Sequence, residues 1–260
     1  ISDDTRYIFL DTPGDNQYCK TLNRILLSFD IDLIIYFPDE WDKKELYYNY
    51  AKLKNIPWFE INLDLLLKQD DYLKMFESKM IKKDIIVNKN IKYIVLQTYP
   101  HQDLGWIVSG YLQSGELKVG DDLTWYFSTS KSYFNSDINK KVKVKIQSIH
   151  INKLPINQVK GPVTCTICLS NISKERLKYG FISNTVYYPK RSIEINWIIK
   201  KKEFEELTGQ IENCTVTIKK IGINEKLNRN IYLISNINFN LQNKVFISSN
   251  GENNYLGIIN

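Results

Sequence analysis

Tyr7-Ile8-Phe9-Leu10-Asp11-Thr12-Pro13-Gly14 is an apolar β-type run that stops at an acidic residue followed by a Pro-Gly turn. A buried strand that ends this way places a carboxylate at the rim of an α/β sheet. Working outward, residues 15–30 predict a helix, and Ile31-Asp32-Leu33-Ile34-Ile35-Tyr36-Phe37 predicts a second strand. Strand, acidic turn, helix and strand form one βαβ unit. A second crossover follows. Pro38-Asp39-Glu40-Trp41-Asp42 opens a helix over 43–54, with Leu46, Tyr47, Tyr50 and Leu53 on its apolar face. Asn55-Ile56-Pro57 closes that helix, because the residue before a proline is pushed out of the helical region. Residues 58–61 then read as a third strand running into Asn62-Leu63-Asp64. A single helix is expected over 65–83, with Tyr72, Leu73, Phe76, Met80 and Ile81 at helical spacing.

The pattern changes near Asp84 to short apolar runs of period two, broken by Gly, Asn and Asp. Strands are expected at 92–97, 105–112, 122–127, 141–150, 162–169 and 185–188. Ser114-Gly115-Glu116 and Val119-Gly120-Asp121-Asp122 supply turns. Strands at this density without helices argue a small closed barrel. Beyond Pro189-Lys190-Arg191 a second set covers 193–199, 210–221, 230–237, 244–248 and 255–259, with residues 203–207 as a turn or short helical loop. The expected fold class is therefore α/β followed by all-β. A partial parallel-sheet domain spans 1–88, and two small β-barrels span 89–189 and 190–260.

With 260 residues and 43% hydrophobic content the chain can bury a substantial core. A net charge of +6, spread over short runs such as Lys140-Lys141 and Lys200-Lys201-Lys202, permits an RNA or ribosome partner without requiring one. Cys165-Thr166-Ile167-Cys168 has the spacing of half a zinc site. Within a strand, however, residues three apart face opposite sides, so the two thiols would not share an ion. With Cys19 and Cys214 they are expected to be reduced thiols of an intracellular, cytoplasmic protein. No apolar segment reaches the ~18 residues that cross a bilayer, and no membrane partner is expected. The chain opens on Ile1 rather than Met and reads as a fragment or processed product.

Three segments resemble the translational GTPases, the elongation factor Tu-like superfamily. Asp11-Thr12-Pro13-Gly14, with Tyr18, Lys20 and Thr21, is similar to that family's third guanine-nucleotide motif and switch II helix. Gly105-Trp106-Ile107-Val108-Ser109-Gly110 through Ser114-Gly115-Glu116-Leu117-Lys118-Val119-Gly120-Asp121 looks like the signature of its second domain. Val144-Lys145-Ile146-Gln147-Ser148-Ile149-His150, Val159-Lys160-Gly161 and Leu177-Lys178-Tyr179-Gly180 continue the likeness in order and spacing. The spacing is most similar to the branch of GTP-binding proteins one and two. The resemblance implies a nucleotide-binding α/β domain and two barrels that correspond to translation-factor domains II and III. It implies GTP or GDP with Mg²⁺ as cofactors, the ribosome or tRNA as partners, and no DNA. It further implies that Asp11 holds Mg²⁺ through water while the Gly14 amide senses the γ-phosphate beside Thr12 and Pro13. Only glycine lets backbone approach a phosphate that closely.

The chain also departs from the family pattern. A Gly-x-x-x-x-Gly-Lys-Ser/Thr loop, whose amides and lysine supply most phosphate affinity, does not occur in the sequence. Asp15 stands where the family has the histidine that positions water. Beside a γ-phosphate its carboxylate adds like-charge repulsion, so slow or lost hydrolysis is expected. In Ile61-Asn62-Leu63-Asp64 only Asp64 fits the guanine-reading Asn-Lys-x-Asp motif, with Asn62 beside it. Its carboxylate would accept from guanine N1 and N2. The competing role for Asp64 is to cap a helix that starts at Leu65. Three readings stay open: the C-terminal part of a GTP-hydrolysing factor, a degenerate non-hydrolysing relative that serves as a binding module, and a barrel-based RNA or ribosome binder. For the last, Trp106 and Tyr126 could stack on bases or fill the barrels. His101 and His150 are read as structural.

Overall fold

The computed structural model describes residues 8–10, 19–38, 43–66, 71–80, 89–101, 105–128, 141–170, 172, 178–187, 190–212, 214–225, 227, 229–237, 244–250 and 253–260. Helix α1 (Cys19–Ser28) is followed by β1 (Ile34–Tyr36), α2 (Lys44–Leu53), β2 (Trp58–Glu60), α3 (Leu63–Leu66) and α4 (Tyr72–Glu77). β1 and β2 pair in parallel, Ile34 opposite Trp58 and Tyr36 opposite Glu60, as the crossover pattern requires. Helix α2 buries Leu46, Tyr47 and Tyr50, the face that the spacing predicts. It ends where Asn55 turns to φ +52, the left-handed conformation that asparagine tolerates, and the Ile56 N–H closes back on the Ala51 carbonyl at 2.9 Å.

Two expectations for this region fail. Ile8 and Phe9 are exposed and outside any strand. The Phe9 ring lies edge-on to Phe76 at 6.5 Å, so its apolar contact is a helix side chain and not a ladder neighbour. The long helix over 65–83 is replaced by α3 and α4, with 67–70 and 81–88 outside the described residues. Asp71 caps α4, its side chain accepting from the Lys74 N–H, and a side chain bonded this way starts a new helix rather than continuing an old one.

Eleven residues of the barrel part run in one direction on β7, and shorter strands surround it. Strands β3 (Lys92–His101), β4 (Gly105–Ser114), β5 (Glu116–Lys118), β6 (Asp122–Ser128), β7 (Lys141–Ile151), β8 (Leu154–Ile156), β9 (Gln158–Lys160), β10 (Val163–Ser170) and β11 (Lys178–Ser183) form the first unit. Its order is β10-β4-β3-β11-β6-β7, closed by the β10–β7 pair, with β8 added outside β7. The second unit is a closed barrel, β12-β15-β14-β13-β16-β17, built from β12 (Lys190–Lys200), β13 (Glu206–Ile211), β14 (Cys214–Asn224), β15 (Arg229–Ile237), β16 (Val245–Asn250) and β17 (Asn253–Ile259). Closure removes the unpaired edges that would otherwise recruit other chains.

Three details correct the strand pattern. The strand expected at 185–188 lies earlier, at β11. Ser183 Oγ donates to the Ile91 carbonyl and accepts from the Thr185 N–H, which takes the backbone out of the ladder. The run 210–221 is two strands, because the chain reverses at Glu212, which has φ +51. Glu206 and Leu207, expected in a loop, begin β13. Gly115 and Gly120 do make turns, at φ +84 and +95, but β5 between them pairs with β9.

Adjacent residues on the strands between the barrels serve two different cores. Tyr93, Leu112, Trp125 and Ile182 fill barrel 1, while their neighbours Ile94, Tyr111, Tyr126 and Phe181 face the apolar cluster of barrel 2. A strand buried on both faces reads as continuous apolar sequence. On the far side of barrel 2, Val245, Ile247 and Leu256 receive Leu22 and Leu26 of α1 and Leu46, Tyr47 and Tyr50 of α2. Leu46 is fully buried there, which contributes about 2 kcal/mol. Among the described residues, no helix is long and apolar enough to cross a membrane.

Candidate functional site

Asp11, Thr12, Pro13, Gly14 and Asp15 lie outside the described residues. Asn62 and Asp64 are described, and they stand just past the carboxyl end of β2 in the parallel pair. That edge is where open α/β sheets take ligands. The Ile61 N–H reaches the Tyr36 carbonyl at 3.0 Å, so the ladder extends one residue beyond β2 before the chain turns. Asn62 Oδ1 then accepts from the Asp64 N–H at 2.8 Å, and the Leu66 N–H closes on the Asn62 carbonyl at 3.0 Å. Asn62, and not Asp64, is therefore the residue that caps the helix. The Asp64 side chain is exposed, and among the described residues no ammonium or guanidinium pairs with it. An ionised carboxylate is an acceptor only, and the Asn62 amide nitrogen is a donor. Phe9 packs edge-on against Phe76, whose ring lies 6.3 Å from Phe59 of β2.

A second constellation sits where the α/β part meets both barrels. Asn23 of α1 is fully buried; its Nδ2 donates to Gln210 Oε1 at 2.9 Å and its Oδ1 accepts from the Tyr47 hydroxyl at 3.0 Å. Arg24 Nη2 donates to Thr215 Oγ1 at 2.9 Å, and the Tyr50 hydroxyl donates to the Leu26 carbonyl. Burial pushes the Tyr47 and Tyr50 phenols far up, so both remain neutral donors. Phe29, just beyond α1, stacks on Tyr111 of barrel 1 at 4.5 Å. Helix α1 is thus tied to both barrels.

Beside these contacts a cleft of about 230 Å³ is lined by Asp30, Lys54, Gln113, Glu212, Lys244 and apolar side chains. Glu212 is 5% exposed, and its Oε1 accepts from Lys92 Nζ and Lys244 Nζ, each at 2.6 Å. Burial pushes the Glu212 carboxyl up, but the two ammoniums outweigh it and hold the group below its ordinary range. Burial lowers Lys92, while Glu212 keeps Lys244 above its ordinary value against burial. Glu212 Oε2 is buried without a hydrogen-bond partner. One carboxylate thereby joins the start of β3 in barrel 1 to the β13–β14 turn and the approach to β16 in barrel 2. Sequence reading did not find this cluster. Lys92 and Glu212 are 120 residues apart, and the only local signal is a Glu-Asn pair between two apolar runs.

The remaining candidates take structural positions. Trp106 and Tyr126 are buried in the two cores and fill them. Cys165 lines the interior of barrel 1, with its carbonyl accepting from the Tyr93 hydroxyl at 2.8 Å, whereas Cys168 lies outside that core. Burial pushes the Cys165 and Cys214 thiols up to about 12, which makes them poor nucleophiles and poor ligands. His150 Nε2 meets Ser148 Oγ at 2.9 Å. Among the described residues, no three His, Cys, Asp or Glu side chains cluster closely enough to hold a metal ion.

No protein-family model matches the sequence. No curated protein matches it either. The structure is similar to the crystal structure of bacterial selenocysteine-specific elongation factor EF-Sec, at 14% identity and a TM-score of 0.61, over 94% of this chain and 42% of that one. It is also similar to the apo form of translation elongation factor SelB from Methanococcus maripaludis, at 13% identity and a TM-score of 0.65, over 96% of this chain and 68% of that one. The chain therefore spans less than half of the first of these proteins and about two thirds of the second. The likeness is one of fold: a β–α fragment followed by two β-barrels.

Proposed function

We propose that this chain is part of a translation elongation factor-like protein of the cytoplasm that engages tRNA or the ribosome through its barrels and answers to a guanine nucleotide. The observation that carries this reading is the barrel pair joined to a parallel β–α fragment, an arrangement shared with the two elongation factor structures over 94% and 96% of the chain. In this reading residues 1–88 are an incomplete GTPase-like domain, 89–189 correspond to domain II and 190–260 to domain III. Asp64 and Asn62 would face the guanine of GTP or GDP. Asp11 would hold Mg²⁺ through water, and Thr12, Pro13 and the Gly14 amide would face the γ-phosphate. Bound Mg²⁺ would neutralise charge on the transferring phosphoryl group.

Two residues favour a second reading, a relative that binds without turning over nucleotide. Asp15 replaces the histidine that positions water, and Ile61 replaces the side-chain amide of the guanine motif. Titration of the full-length protein with a fluorescent GTP analogue, with and without Mg²⁺, tests the proposal. Saturable, Mg²⁺-dependent binding that weakens at least about tenfold in Asp64→Asn, with an unchanged melting temperature, is the expected result; tenfold corresponds to about 1.4 kcal/mol. Turnover of bound GTP would remove the second reading. Absence of saturable nucleotide binding would overturn the first and leave only the binding module.

A further inference from the structure

We propose that Lys141, Lys143 and Lys145 on β7 form a docking row for the sugar-phosphate backbone of an RNA; the inference rests on the RNA-engaging reading above and names the surface that would carry it. Strand β7 alternates strictly over this stretch. Val142, Val144 and Ile146 turn toward the barrel 1 core, and the three lysines turn outward and are exposed. Same-face residues on an antiparallel strand repeat at roughly 6.8 Å. The three ammoniums therefore stand in line on a hydrogen-bonded strand, with their spacing set by the sheet and not by a flexible tail.

Among the described residues, no carboxylate forms an ion pair with that row. Thr124 of β6 lies opposite Lys143, and Asp122 opposite Lys145, with Ser170 of β10 on the other flank of Lys145. Among the described residues, none of the three lysines comes within ion-pair distance of a carboxylate, Asp122 included. The other basic run, Lys200-Lys201-Lys202, is different. Glu203 lies 2.5 Å from Lys200 and 4.0 Å from Lys220. Lys200 is paired in place, whereas among the described residues no lysine of the β7 row is.

The chemistry selects a phosphate backbone over a bilayer. A membrane-binding surface sets large apolar side chains beside its basic residues. Among their described residues, β6 and β7 expose none. Phosphate contacts made by lysines carry no sequence preference and are recognised by their salt dependence.

The test uses the whole chain, with fluorescence anisotropy of a labelled oligouridine and of labelled tRNA, titrated from about 50 to about 200 mM salt. The wild type should bind more weakly as salt rises. The triple variant Lys141→Gln, Lys143→Gln, Lys145→Gln should bind at least about tenfold more weakly at the low-salt end, with a slope of log affinity against log salt that is shallower by about 2. Its melting temperature should be unchanged, because the side chains point to solvent. A control with Lys200→Gln, Lys201→Gln and Lys202→Gln should bind as the wild type does. Wild-type affinity in the β7 variant, together with loss in the control, would overturn the β7 row and leave the RNA reading standing. Failure of the wild type to bind either RNA, or binding to phosphatidylserine vesicles in place of RNA, would overturn both.

Discussion

Glu212 shows how a single residue can be unreadable in sequence and decisive in the fold. It occupies a left-handed backbone conformation, φ +51, that a glycine would adopt at lower cost. What holds a glutamate there is the pair of ammoniums on one of its oxygens, supplied by Lys92 and Lys244. Replacing it as Glu212→Gln would leave two half-buried cations facing each other across a neutral amide. A loss of about 2–3 kcal/mol is expected, read from denaturant or thermal unfolding. The pH dependence has a definite sign. The folded carboxyl titrates below its ordinary value of about 4.3, so its contribution is complete above that pH and disappears as pH falls through the folded value. The wild-type melting temperature should therefore drop between about pH 5 and pH 3. That of Glu212→Gln should drop less over the same window; parallel curves would contradict the assignment. Asn62 makes the same point in reverse. Its identity as an acidic-turn neighbour was legible, but the role of helix cap belongs to it and not to Asp64, because the bond is made by a local side-chain rotation that spacing does not encode.

Among the elements, β11 combines a strand, a bulge and a glycine. Its register against β6 shifts between Lys178 and Phe181, and Gly180 sits in the shift with φ +84. A Cβ placed there would lie 1.9 Å from the Tyr126 carbonyl oxygen, a backbone atom that the ladder holds in place. Gly180→Ala should accordingly cost about 3 kcal/mol or more, measured by chemical denaturation, and a change within ±0.5 kcal/mol would refute the argument. The sequence signal for this element was mixed. Leu177-Lys178-Tyr179-Gly180 stood out as a step in the family resemblance, yet the apolar residues at 185–188 read as the strand. Side-chain hydrogen bonds of Ser183 and Asn184 to Ile91 close the barrel before that apolar stretch is reached, and such bonds depend on a residue over 90 positions away. Helix α2 is the opposite case. Leu46, Tyr47 and Tyr50 at helical spacing predicted the buried face directly, since a helix packed on one side has only one stripe to bury.

For the whole molecule, the shared apolar seam sets the mode of unfolding. Ile94, Tyr111, Tyr126 and Phe181 of barrel 1 belong to the same cluster as Ile193, Val216, Tyr232 and Phe246 of barrel 2. Neither barrel can open without exposing surface that the other covers. Calorimetry should therefore show the two barrels melting in one transition. Phe181, stacked on Tyr126 at 5.1 Å and 1% exposed, is the residue to remove. Phe181→Ala should lower that transition as a unit, by about 3–5 kcal/mol, and two separated transitions in the wild type would contradict the shared core. Helix α1 extends the same logic, with Asn23 satisfied by Gln210 of barrel 2 and by Tyr47 of α2. A switch that moved α1 would have to break bonds to both at once.

Local pattern settled the order of elements: parallel β–α units first, then two sets of strands with period two and glycine turns. That is because helix and strand periodicity, turn geometry and proline boundaries are properties of a few neighbouring residues. Which neighbour covers each face was decided only by tertiary structure. Tyr126 and Trp125 are adjacent aromatics on one strand, and period two says that they face opposite ways without saying which way is the barrel interior and which the seam. The meeting of Glu212 with Lys92 and Lys244, and of Asn23 with Gln210, likewise arises from how three packed bodies dock. Docking is set by the shapes of whole surfaces, and no short window of sequence contains them.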